Sequence, residues 1–356
     1  MFVVTNREVF PRRRGFDMFG KKPAAGADTL RLVEATGSPG NWRLELLKDR
    51  ADEAMKARAG LSGRGPWYAS DYAAALLREK LRGPNGPRNL LFFVHGFNND
   101  VESVLDRAWG FEQAYGVEVV PFSWPANGGG AWGVASNKSD KRDALNSTGA
   151  LDRCIERIGQ FIEQFNEEGL DRIRKAARLA HPDDKEQEDA FIAREMARAC
   201  PIRVSMLLHS MGNYLFKHLL QSSTYHARDL VFENVILAAA DTNNLDHARW
   251  VDEIRCRNRV YITINEDDSA LRVSRMKAGD QQRARLGHYT YGLDSSQGVY
   301  VNFTKTKHVG DSHAYFEGEP VEKNPRAKAF FQAAVNGETA ETPLPYNAAK
   351  NLYGIE

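Results

Sequence analysis

The chain has 356 residues, of which 42% are hydrophobic and 27% charged, so it can bury a full core and shows no compositional sign of overall disorder. Its 48 basic and 47 acidic side chains leave a formal charge of +1, which removes the usual electrostatic reason to expect nucleic acid or an anionic membrane as a partner. Cys154, Cys200 and Cys256 are widely spaced and match neither a disulfide framework nor a zinc site, which leads to the expectation of a reducing, cytoplasmic setting.

The opening MFVVTNREVF has a short apolar run ahead of PRRRG, whereas an export signal places charges first, so none is expected. No stretch approaches the roughly 20 consecutive apolar residues of a membrane span. Residues 2–5, 30–34 and 42–46 read as leading antiparallel strands in a segment, 1–85, that carries the basic run Arg12 to Arg14 and several Gly and Pro. Short apolar runs rich in β-branched and aromatic residues follow at 90–94, 117–122, 202–208, 235–240, 260–264 and 299–303, and read as buried strands. Helical periodicity falls between them, at 101–115, 141–166, 214–221 and 245–257, with 327–335 after the last strand.

Such alternation predicts an α/β fold: a mostly parallel sheet with helices on both faces and a ligand site at the carboxyl ends of the strands. One domain is expected over 1–356, ending in a helix and tail at 320–356. The charged segment 167–201, broken by His181-Pro182-Asp183-Asp184, reads as a helical hairpin inserted before the strand that begins at Ile202. It leads to that strand's amino end, so it should emerge opposite the active site, as a solvated arm or as a surface for a protein partner or second copy.

The chemistry concentrates just after strands. Leu207-Leu208-His209-Ser210-Met211-Gly212-Asn213 joins a buried strand to a helix, where a serine on a sharp turn projects its hydroxyl over the sheet edge. Such a turn wants small residues two before and two after the serine; Gly212 complies and Leu208 does not. His95-Gly96-Phe97-Asn98-Asn99 follows the strand 90–94, where a backbone amide can serve an oxyanion hole, so the amides of Phe97 and Met211 are the expected donors. Asn in that turn also suits a helix cap, and the two roles are compatible.

Asp311-Ser312-His313-Ala314-Tyr315-Phe316 supplies His313 as the base after the last strand, with His308 as its rival. The acid is sought after a strand between them: Asp268 is the choice, with Asp267 and Asp241 as alternatives. Carboxylates there could equally cap a helix. His308, Asp311 and His313 fit no standard metal-ligand spacing, so no metal is expected. Gly128-Gly129-Gly130 lacks the Gly-Lys-Ser/Thr of a phosphate loop. His95, Trp124 and His209 are candidate walls of the substrate pocket, and Arg272, Arg275, Lys277, Arg283 and Arg285 suit an anionic acyl or phosphorylated substrate, or equally a solvated basic helix.

Taken in order, HGFNN, FSWP, HSMGN, DDSAL and DSHAYF resemble a bacterial α/β-hydrolase family without an assigned substrate, often described as esterase- or lipase-like. The opening Val3-Val4-Thr5-Asn6-Arg7 is similar too, so the likeness runs from near the start to about Phe316. Members typically carry Ala-His-Ser-Met-Gly-Asn at the elbow, from which Leu208 departs. The resemblance implies a hydrolase fold and a hydrolytic mechanism, but no substrate; hydrolysis by Ser210, His313 and Asp268 requires no metal or cofactor. The expectation is a serine hydrolase acting on a small acyl substrate; thioesterase and amidase chemistry would use the same residues. The rival reading, prompted by Leu208, is a binding or scaffold protein that keeps the fold without turnover.

Overall fold

In the computed structural model, residues 1–26, 29–82, 89–126, 141–182, 184–198, 202–222, 230–276 and 284–355 are described. The chain opens with β1 (Phe2–Thr5), and β2 (Arg7–Val9) pairs with β3 (Phe19–Pro23) as a small separate sheet. Next come β4 (Arg31–Thr36), β5 (Arg43–Leu46), α1 (Glu53–Ala59) and α2 (Ala69–Leu81). The expected leading strands are present, but β1 is antiparallel only to β4 and runs parallel to β7 (Glu118–Ser123) on its other side. Helices α1 and α2 lie in the segment expected to hold only leading strands and loops. Asp52 accepts from the Met55 amide at the start of α1, and the Asp71 carboxylate accepts from the Tyr68 amide at the start of α2.

The alternating part begins with β6 (Leu90–Val94), whose five residues are all buried. Its side chains divide with period two. Phe92 and Val94 join the core that includes Leu151 and Leu215, while Leu91 and Phe93 join the core that includes Phe111 and Phe331. Helix α3 (Val101–Tyr115) is capped by the Asp100 carboxylate, which accepts from the Ser103 amide, and stops at Gly116 in the left-handed region.

The helix expected over 141–166 is interrupted: residues 141–146 are helical, Ser147 forms a turn, and α4 runs from Thr148 to Ala180. Ser147 is pinned there, accepting from Asn6 and donating to the Asp143 carbonyl. Residues 167–180 are thus a continuation of α4, and α5 (Lys185–Arg198) folds back against it after the His181 break. Then follow β8 (Val204–His209), α6 (Met211–Leu220), β9 (Asn234–Ala238), α7 (Ala248–Val251), β10 (Arg259–Ile264), α8 (Ser269–Met276) and β11 (Gly298–Asn302). The helix expected over 245–257 shrinks to α7, and Asp246, left-handed just before it, keeps the helix from starting earlier. After α9 (Glu319–Glu322) and α10 (Pro325–Val335), the tail forms β12 (Tyr346–Asn347) and β13 (Leu352–Gly354).

Among the described residues, one eleven-stranded sheet has the order β12-β13-β11-β10-β9-β8-β6-β7-β1-β4-β5. From β13 to β1 every neighbouring pair is parallel. The chain leaves β6 for β7 on one side and β8 on the other, so the order reverses at β6, where an open α/β sheet forms its ligand crevice. Register brings the ends level, since Val94 pairs with Leu208 and Leu208 with Leu237. Among the described residues, no helix is long and apolar enough to cross a membrane.

Candidate active site

Ser210 sits between β8 and α6 with φ 52° and ψ −117°, a conformation that costs a non-glycine residue on the order of 1–3 kcal/mol and persists only where its surroundings impose it. The imposing contacts are visible. The Ser210 amide donates to the Ala238 carbonyl, and its own carbonyl accepts from the amides of Asn213 and Asp241. The Asn213 side-chain amide, fully buried, reaches the carbonyls of Leu208, Ser210 and Ala238 and so ties the ends of β8 and β9 together. A Cβ on Gly212 would lie 2.8 Å from the Val94 carbonyl, which explains the small residue after the serine. Leu208 turns its side chain into the core and is fully buried, while Ser210 still adopts the sharp turn.

The loop after β6 crosses directly against the serine. A Cβ on Gly96 would be 2.7 Å from the Ser210 Cβ and 3.0 Å from the His209 carbonyl, so only glycine lets the backbone pass so close. Phe97 follows at once. Met211 opens α6, and its amide is one of the four that a helix leaves without an internal acceptor. The Ser210 hydroxyl, 5% exposed as a residue, has no hydrogen-bond partner among the described residues.

His313 lies beside this turn, its ring centroid 4.7 Å from that of His209. Its Nδ1 is 2.7 Å from Oδ2 of Asp268, whose other oxygen accepts from the Leu271 amide. A carboxylate only accepts there, so Nδ1 carries the proton and Nε2 is the basic nitrogen. Asp267 accepts from the Lys305 amide and Asp241 pairs with Arg285 at 3.0 Å while accepting from Ser274, so of the three acids only Asp268 reaches His313. His308, the other histidine candidate, stands 3.7 Å from Glu319. Among the described residues, no cluster of three His, Cys, Asp or Glu side chains is placed to hold a metal ion.

His95, Trp124 and His209 are all but fully buried and act on the loops themselves. The Trp124 amide donates to Nε2 of His95, which leaves the proton on Nδ1 to donate to the Gly96 carbonyl. The Trp124 indole donates to the His95 carbonyl, and the two rings stack at 5.5 Å. Burial pushes the His95 imidazole down to about 3, so it stays neutral. His209 donates from Nε2 to the His313 carbonyl, and burial together with the nearby His313 pushes it well below the usual histidine range. His95 and Trp124 thus pack on each other, and His209 packs on His313 and Phe316.

Several contributors had no role assigned from the sequence, although Arg7 and Tyr315 lie within the quoted motifs. Arg7, buried at the start of β2, donates to Ser123 and to the Asn99 carbonyl, joining the end of β7 to the loop after β6. The Tyr315 hydroxyl bonds Thr263 and accepts from the amide of Ala239, a non-glycine residue at φ 45°. Gly287 packs so closely on that turn that a Cβ would lie 2.3 Å from the Ala240 amide nitrogen. Of the basic residues singled out near the acid, Arg285 is engaged with Asp241 and Asn243, Arg272 bonds the Asp267 carbonyl, and Arg275 lies over Tyr289. Cys200, Gly128 to Gly130, Lys277 and Arg283 lie outside the described residues.

A family model described as an alpha/beta hydrolase of unknown function, DUF900, matches residues 71–165 and 187–308, together more than half of the chain. Comparison with curated proteins and with solved structures finds no match.

Proposed function

We propose that this chain, which belongs to the α/β-hydrolase family of unknown function DUF900, is a serine hydrolase that cleaves a carboxylic ester or related acyl bond. The observation that carries the reading is the strained Ser210 turn beside the bonded pair His313 and Asp268. In the proposed cycle, Nε2 of His313 takes the proton from Ser210 as Oγ attacks the acyl carbon. The amides of Phe97 and Met211 hold the resulting oxyanion. Collapse breaks the bond to the leaving group, which takes the proton from His313, and leaves an acyl-serine. Water then loses a proton to His313 as it attacks that acyl carbon, the acid departs and Ser210 regains its proton. Asp268 holds the imidazole in the Nδ1-protonated tautomer and stabilises its charged form.

The test does not require knowledge of the substrate. Wild-type and Ser210→Ala protein are treated with a fluorophosphonate probe, and the adduct is located by peptide mapping. Labelling confined to Ser210 and lost in the variant supports an activated serine. An unlabelled, folded wild-type protein would turn the reading to a binding protein on a hydrolase fold.

A further inference from the structure

Arg107, on α3, connects two loops that the proposed chemistry needs in a fixed relative position. Its side chain is 18% exposed, and the guanidinium grips the Glu317 carboxylate with Nε 2.9 Å from both oxygens and Nη2 2.8 Å from Oε1. Nη1 reaches Oδ1 of Asn99 at 3.4 Å, and Asn99 in turn donates from Nδ2 to the carbonyls of Phe97, at 2.8 Å, and Gly96, at 3.3 Å. Glu317 follows Phe316, a fully buried ring that lies 4.9 Å from His209 and 5.8 Å below the Arg107 guanidinium. The Tyr115 hydroxyl, from the far end of α3, donates to the Phe316 carbonyl. One side chain therefore touches the end of the loop that carries His313 and the residue that braces the backbone of Gly96 and Phe97.

We propose that Arg107 is a positioning residue that sets the oxyanion-loop amide and the His313 loop in one geometry, acting through Asn99 on one side and Glu317 on the other. The inference rests on the serine-hydrolase reading. A bidentate fork suits this role because it fixes direction as well as distance, which a lysine ammonium does not. Misplacing a catalytic group by about 1 Å can cost on the order of a hundredfold in rate, so a lost brace should act on the chemical step rather than on binding.

The experiment measures fluorophosphonate labelling of Ser210 as a rate constant at saturating probe and a half-saturating concentration. The proteins are wild type, Arg107→Met, Arg107→Lys, Glu317→Gln, Asn99→Ala and the Glu317→Gln/Asn99→Ala double variant, each checked for folding by thermal melting. Arg107→Met should slow the saturated rate about 10- to 100-fold while half-saturation moves less than about threefold, and Arg107→Lys should recover only part of the loss. The two outer substitutions should be strongly non-additive, since either one breaks the same connection. If Arg107→Met does not fold, Glu317→Gln and the double-variant cycle carry the test. Wild-type saturated rates in folded Arg107→Met, or independent effects of Glu317→Gln and Asn99→Ala, would overturn the proposal while Ser210 labelling still stood. Wild-type protein that is not labelled at Ser210 would overturn the hydrolase reading itself, and the role of Arg107 with it.

Discussion

Nδ1 of His313 lies 2.7 Å from Oδ2 of Asp268, a carboxylate with no exposed surface, and two neighbouring aspartates are committed to other partners. Replacing Asp268 by Asn should therefore lower Ser210 labelling on the order of a thousandfold or more, because an amide can present its N–H to Nδ1 and favour the wrong tautomer. Asp267→Asn, whose Oδ1 can still accept from the Lys305 amide, should stay within about threefold of wild type, as substitutions away from a coupled network usually do. Equal effects of the two substitutions would remove Asp268 from the acid's place.

The pH dependence of labelling should show a single acid limb. His95 is pushed down to about 3 and His209 well below its usual 6.5, and burial lowers the His288 ring near Asp268 as well, so none of these rings should add a second limb to that of the proposed base. The logarithm of the labelling rate should rise with a slope of one and level off. A slope of two would mean that a second group must also be deprotonated.

His95 and His209 should also make the fold acid-sensitive. In the unfolded chain they bind protons below about 6.5, whereas in the fold they resist protonation, so the unfolded state takes up more protons as the pH falls. The contribution of His95 is fully present above about 6.5 and is lost on the way down towards 3, at up to about 1.4 kcal/mol per pH unit, and that of His209 is lost in the same direction. Denaturant midpoints measured from pH 7 to 4 should drop, and His95→Phe should flatten the slope if the protein folds. A midpoint independent of pH across that range would contradict the burial of neutral rings.

Gly96→Ala should abolish rapid labelling. The added methyl would meet the Ser210 Cβ at 2.7 Å, and relieving the overlap requires the loop to withdraw from the serine. Overpacking of this kind costs about 1–3 kcal/mol, so the protein should remain folded and show the loss in rate more than in melting temperature. A labelling rate close to wild type would show that the loop does not need this close approach.

The sequence by itself determined the alternating framework. Apolar runs such as 90–94 and 260–264 are long enough to be strands and too short to be helices, and their lack of alternation predicts burial on both faces, as β6 shows. It also brought Ser210, His313 and the HGFNN segment to the ends of strands, because in a parallel sheet all those ends share one edge. Shorter elements escaped: β13 has three residues and is held by its pairing with β11, a contact that no local pattern encodes.

Only the tertiary structure distinguished Asp268 from Asp267 and Asp241. All three follow strands and all are carboxylates, so composition and spacing treat them alike. What separates them is the direction in which each side chain leaves the backbone, set by Lys305, Arg285 and the turn into α8. The same holds for Arg107 and Glu317, which are joined across 210 residues of chain. Arginine on a helix reads as a solvated charge until the fold brings its partners to it, because the interaction depends on distance in space and leaves no periodicity along the sequence.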